Sequence, residues 1–178
     1  MPLNLLKKYP ELLELAHLND AKRKESLYSI FKRDIEDNRE LNFRTKIIWP
    51  VTGEEPPMTI LFKHLTTEET QVLGENGKTY PKRFFEMDRS QRLHWIRFHL
   101  EEQKKSNVEV FSAEERDQKK RQDIIRTYIY DVEQKYIIVL DPQRSQKDYY
   151  LVTAYYLNKE YGEKKIKKLL KNKLPEVH

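Results

Sequence analysis

Five histidines, His17, His64, His94, His99 and His178, are the side chains of this chain best suited to moving protons near neutral pH. There is no cysteine, which removes disulfides, thiolate zinc sites and cysteine nucleophiles together. His94 and His99 fall on one expected helix but five residues apart, so they do not share a face as a zinc pair would. The chain has no HExxH, Walker loop, GxGxxG or GxSxG element. Nucleotide triphosphate hydrolysis and serine-hydrolase chemistry therefore have no support, no metal site is expected and no cofactor is implied. One arrangement remains. His94 lies off its helix's apolar stripe beside Arg97, and the strand-rich C-terminal half carries Arg126 and Thr153. A helix-borne histidine near a sheet bearing an arginine and a hydroxyl could act as acid or base.

The strands set which residues can meet. Three apolar runs follow one another: 124–131, 135–141 and 148–157. Their short connections predict antiparallel neighbours. Alternation puts Tyr150, Val152, Ala154 and Tyr156 on one face of the last strand and Tyr149, Leu151, Thr153 and Tyr155 on the other. Packing helices against Ile125, Ile129, Val152 and Ala154 would leave an open face of Arg126, Tyr128, Tyr130, Tyr149, Thr153 and Tyr155. Aromatics stack on unpaired bases and arginine pairs with phosphate, so that face suits RNA. Tyrosine is equally ordinary as amphipathic cover for a sheet, and threonine as a strand former.

The remaining elements frame this sheet. Residues 2–37 read as a helical hairpin, one helix starting near Pro10 and a second capped by Asn19 or Asp20, with Leu27, Ile30, Phe31 and Ile35 as its stripe. Segments 43–49 and 58–65 read as strands. Residues 65–87 read as loop with a tight turn at Asn76-Gly77. Residues 88–105 read as a helix with Asp88 and Gln91 as a capping box and Leu93, Ile96 and Leu100 buried. Residues 108–111 are a short strand and 112–123 a charged loop. A lysine-rich helix spans 160–172.

Length and composition fit a folded chain: 178 residues, 38% hydrophobic and 35% charged, with four glycines and eight prolines. The net charge of +5 equals that of the segment from Asn158 to Leu174, with seven lysines and two glutamates. Such a patch suggests a polyanion partner, or a solvated helix face. No run approaches the roughly 20 apolar residues that span a bilayer, and "MPLNLLKKYPELL" lacks a signal peptide's apolar core. A soluble, cytoplasmic protein with no membrane partner is expected.

"RLHWIRFHLEE" (92–102), "RTYIYDVEQKYIIVLDPQR" (126–144), "YYLVTAYYL" (149–157) and the basic C-terminal helix together resemble prophage-associated proteins of the barnase–EndoU–colicin–RelE-like ribonuclease group. The resemblance covers roughly residues 43–173. It implies an α+β fold with helices on one face of a small antiparallel sheet and metal-independent RNA cleavage through the ribose 2′-hydroxyl; the chain then divides into the N-terminal hairpin (1–40), outside the resemblance, and a nuclease-like domain (41–178). It implies His94 as acid or base, Arg126 as the phosphate-stabilising cation, Thr153 as a donor to a phosphate oxygen and Tyr128 as an assisting or stacking group. Arg144 and His64 are secondary candidates. Tyr130, Tyr155, Lys164, Lys165, Lys167 and Lys168 would bind RNA. RNA is the expected partner, with an inhibitor or antitoxin protein as a second. A non-catalytic RNA-binding module and a protein-interaction domain are the competing expectations.

Overall fold

Strand alternation in the C-terminal half builds the frame on which the rest packs. The computed structural model describes residues 3–145 and 147–178 and is α+β. Its elements in chain order begin with a 3₁₀ turn (Leu3–Leu6), α1 (Asp20–Phe31) running on into a π turn (Lys32–Glu36), β1 (Asn42–Phe43) and β2 (Lys46–Pro50). Then follow α2 (Pro57–Thr66), β3 (Thr67–Leu73), β4 (Thr79–Phe85), α3 (Met87–Ser90) and α4 (Trp95–Leu100). The last elements are β5 (Val108–Asp117), β6 (Gln122–Asp131), β7 (Tyr136–Pro142), β8 (Tyr149–Tyr156) and α5 (Glu160–Lys171).

The main sheet has the order β1-β2-β8-β7-β6-β5, while β3 and β4 form a separate ribbon. The expected run β6, β7, β8 is consecutive and antiparallel. Only β2 on β8 is parallel. One face of the sheet (Ile129, Ile138, Leu140, Leu151, Ala154) packs on Leu93, Trp95, Ile96 and Leu100 and shares its core with Leu13, Leu27, Ile30 and Phe31 of the N-terminal segment. The stripes expected on α1 and α4 are buried as read, because apolar residues three and four apart fall on one side of a helix. Asn19 caps α1 by accepting from the Lys22 amide.

The second face is where expectation and structure part. Phe111, Ala113, Tyr128, Tyr130, Ile137 and Val139 are covered by Leu157, Ile166, Leu169 and Leu170. The lysine-rich helix thus buries its own apolar stripe on the face expected to stand open. Tyr128 and Tyr130 are each 2% exposed. Helices therefore lie on both faces, not one. A β-bulge sharpens the difference: Leu140 pairs with Leu151 and Val139 with Thr153, so Val152 is an extra residue. The extra residue shifts alternation along β8. Tyr149 and Ala154 fall in the first core, while Val152 and Tyr155 pack on the second. The expected grouping of Tyr149 with Thr153 and of Val152 with Ala154 is corrected accordingly.

Several local readings are also corrected. Segment 58–65 is helix, with Pro57 at its first turn and Leu61 and Leu65 buried one turn apart. A short apolar run is ambiguous in period, and proline at N1 decides it. Residues 67–85 are a ribbon about the expected Asn76-Gly77 turn, where Gly77 takes a positive φ of 74°. The helix expected over 88–105 is two pieces joined by tight i→i+3 turns through residues 92–95. Its cap is Glu86, accepting from the Asp88 and Arg89 amides, rather than an Asp88/Gln91 box. Residues 112–117 extend β5, since Ala113 is buried and an edge strand tolerates charge. No helix starts near Pro10; the chain from 7 to 19 is irregular.

Candidate functional site

His64 sits in the last turn of α2, half-buried where α2 runs beside β8. Helix ends leave carbonyls without intrahelical partners. Here they are met by outside donors: Arg89 Nη1 bonds the His64 carbonyl at 2.8 Å and the Thr67 carbonyl at 2.7 Å. Thr153 Oγ1 donates to the same His64 carbonyl at 3.3 Å, and Ser90 Oγ to the Thr66 carbonyl at 3.0 Å. Arg83 joins from β4, its Nε bonding Thr67 Oγ1 at 2.9 Å. The end of α2 is thereby tied to Arg83, to Arg89 and to Thr153 beside the bulge in β8.

Its electrostatics follow. Burial first, then the Arg83 charge, lowers the His64 pKa below the ordinary histidine value, opposed in part by the backbone carbonyl of Val152, which favours a protonated ring. The residue is neutral at pH 7 and can accept a proton. Arg89 is itself half-buried, and burial lowers its pKa; its Nε is buried with no partner among the described residues. It lies over the Tyr155 ring at 5.4 Å.

Across the sheet stands a second group. Thr153 pairs with Val139 and Val139 with Tyr128, so Thr153 and Tyr128 occupy one row two strands apart, about 10 Å. Glu115 Oε1 accepts from Tyr128 Oη at 2.8 Å and from Arg126 Nη1 at 3.1 Å, and Lys165 of α5 reaches Oε2 at 3.1 Å. Burial opposes ionisation of Glu115, but the Tyr128 bond and Lys165 outweigh it and its pKa is lowered. Burial and the Glu115 charge drive the Tyr128 pKa far up. Asp141, also half-buried, has its pKa raised by burial, with Arg126 opposing. Tyr155 lies between the two groups, within the fields of Arg89, Glu115 and Arg126.

The expected constellation is thus divided. On the second face, Thr153 bonds the His64 carbonyl, and Arg126 and Tyr128 share Glu115. His94 belongs to the first. It is 6% exposed, and burial, partly offset by the nearby Glu11 carbonyl, pushes its pKa down to about 4. The sheet separates it from Arg126 and Thr153. The physical reason is the break between α3 and α4, which turns residue 94 towards the N-terminal segment near Arg33 and Asp34. His99 is buried against Asp131, 3.2 Å from Nε2 to Oδ2, in a network with Tyr9 and Lys104. Tyr130 is sealed under α5. Arg144 is exposed in the β7–β8 turn. Lys164 and Lys167 are exposed and paired along α5 with Glu160 and Glu163, and Lys168 is exposed.

Arg83, Arg89, Glu115 and Asp141 were not singled out from sequence. The signal for the first two was the Pro56-Pro57 helix start, which makes His64 a helix-end residue whose carbonyl needs a donor. Among the described residues, no three His, Asp or Glu side chains are grouped to hold a metal ion. No helix of the described residues is long and apolar enough to cross a membrane. Comparisons with protein-family models, with curated proteins and with solved structures find no match to this chain.

Proposed function

We propose that the chain is a metal-independent endoribonuclease of the barnase–EndoU–colicin–RelE-like kind, with His64 in place of His94 as its proton-transfer residue. The observation that carries this reading is the half-buried His64, neutral at pH 7, with Arg89 and Thr153 on its carbonyl and the Arg83 charge nearby. In the reaction, His64 takes the proton of a ribose 2′-hydroxyl. The 2′-oxygen forms a bond to the adjacent phosphorus, the bond to the 5′-oxygen breaks, and that oxygen leaves with a proton from solvent. Arg89 and Arg126 oppose the negative charge that builds on the phosphate. Thr153 offers a hydroxyl, and Tyr155 a ring for a base. Lys165 and the exposed lysines of α5 attract the backbone.

One observation favours a second reading. Glu115 already neutralises Arg126 and Lys165, which suits a module that binds RNA without cutting it. A single experiment separates the two. Single-stranded RNA is incubated with the chain in chelator and the ends are mapped. The enzyme leaves a 2′,3′-cyclic phosphate or its 3′-phosphate product and spares an all-deoxy strand. A binder retards RNA and cuts none. Cleavage of the all-deoxy strand would falsify the mechanism.

A further inference from the structure

The β3–β4 ribbon serves no core: its residues are mostly exposed, and a two-stranded ribbon is marginal on its own. Yet it carries large apolar side chains at its surface. Along β4, Tyr80, Lys82 and Phe84 share one face, opposite Val72, Thr70 and Glu68 of β3. Tyr80 is 48% and Phe84 45% exposed. The Lys82 ammonium lies 5.4 Å from the Phe84 ring centre. Rings four residues apart on a strand are about 13 Å apart, with the cation between them.

This face continues towards the candidate site. Glu68, on the same side of the ribbon, binds Lys159 Nζ at 2.8 Å. Lys159 and the exposed Tyr161 line a cleft of about 270 Å³ with Arg89 and Tyr155. Arg89 in turn holds the His64 carbonyl. Aromatic rings spaced by cations are what unpaired nucleotides need: a ring for each base and a charge for the phosphate between.

We propose that Tyr80, Lys82 and Phe84, continued by Tyr161 and Lys159, form a stacking track that receives unpaired RNA flanking the cut phosphate. The track rests on the ribonuclease reading for its direction towards His64, and its partner is single-stranded RNA rather than a protein or a duplex. A base-paired strand buries its base faces in its own stack and offers none to the ribbon.

The test uses the full chain and a labelled 12-mer of 2′-O-methyl RNA, which cannot be cut through the 2′-oxygen, measured by anisotropy beside a hairpin duplex of equal charge. The double variant Tyr80→Ser, Phe84→Ser is expected to lose roughly tenfold or more in affinity for the single strand, with duplex affinity unchanged. Leu73→Ser, on the opposite ribbon face and 74% exposed, is the control and keeps wild-type affinity. Circular dichroism verifies the fold of each. Equal affinity of double variant and wild type overturns the track, as does an equal loss for strand and duplex. So does a double variant that changes only self-association in sedimentation. If wild-type chain cuts no ordinary RNA but the double variant still loses single-strand affinity, the track stands and the ribonuclease reading falls. If RNA is cut and the double variant binds normally, the reverse holds.

Discussion

His64 and His94 are the same side chain in two settings, one at a helix end beside β8 and one inside the core, and their surroundings assign them different work. His94 is packed among Trp95 and the N-terminal segment, where burial removes water and outweighs the nearby Asp34 charge. His64 is half-buried at a helix end, where Arg89 and Thr153 bond its carbonyl and Arg83 bonds the neighbouring Thr67. The first environment costs stability when a proton arrives. The second keeps a neutral base within reach of solvent and of cations that a phosphate would meet. Burial lowers both pKa values, so a lowered pKa alone does not separate a functional histidine from a structural one. Access and neighbours do.

The largest effect expected from this contrast is on rate. His64→Ala should slow RNA cleavage in chelator by something like the 10²–10⁴-fold typical of a lost general base, whereas His94→Leu should leave the rate near wild type. Initial rates on one labelled RNA compare them directly. Reversal of the two variants would return catalysis to His94.

Next comes stability against acid, where the order of the two should invert. An unfolded chain binds a proton at His94 with the ordinary value of 6.5, the folded chain only at about 4. Between these values the unfolded state holds more protons, so stability falls as pH drops from 7 through this window. The expected loss at His94 from pH 7 to pH 5 is about 2 kcal/mol. Urea melts at both pH values should show that difference shrink in His94→Leu. An undiminished acid sensitivity in that variant would place the effect elsewhere.

The cationic wall should give a smaller, salt-dependent effect. Replacing Lys164, Lys165, Lys167 and Lys168 with glutamine should weaken RNA binding and flatten its dependence on salt, as fewer counterions are released. The fold should persist, because Ile166, Leu169 and Leu170 still cover the second face. Titrations at two salt concentrations read both quantities. The smallest change is expected from Thr153→Val, which keeps the β-branched shape on β8 and removes one 3.3 Å hydrogen bond to the His64 carbonyl. A few-fold fall in cleavage rate, with an unchanged melting temperature, would mark the hydroxyl as positioning His64.

What the sequence by itself determined is what depends on local period. The order and antiparallel pairing of β6, β7 and β8, the buried stripes of α1 and α4, the cap at Asn19, the turn at Asn76-Gly77 and the apolar stripe within the lysine run were all legible there. Alternation of two and repeats of three or four are written in neighbouring residues. The tertiary structure decided the rest. One extra residue at Val152 reverses which side chains of β8 face which core, and no periodic pattern announces a bulge. Whether the Tyr128 face is open depends on where α5 folds back, a contact across more than 30 residues of chain. The groups that meet the end of α2 come from α3, β4 and β8, up to 89 residues away along the chain. Only folding brings them to one helix end, because a carbonyl left without an intrahelical partner takes whichever donor the packing delivers.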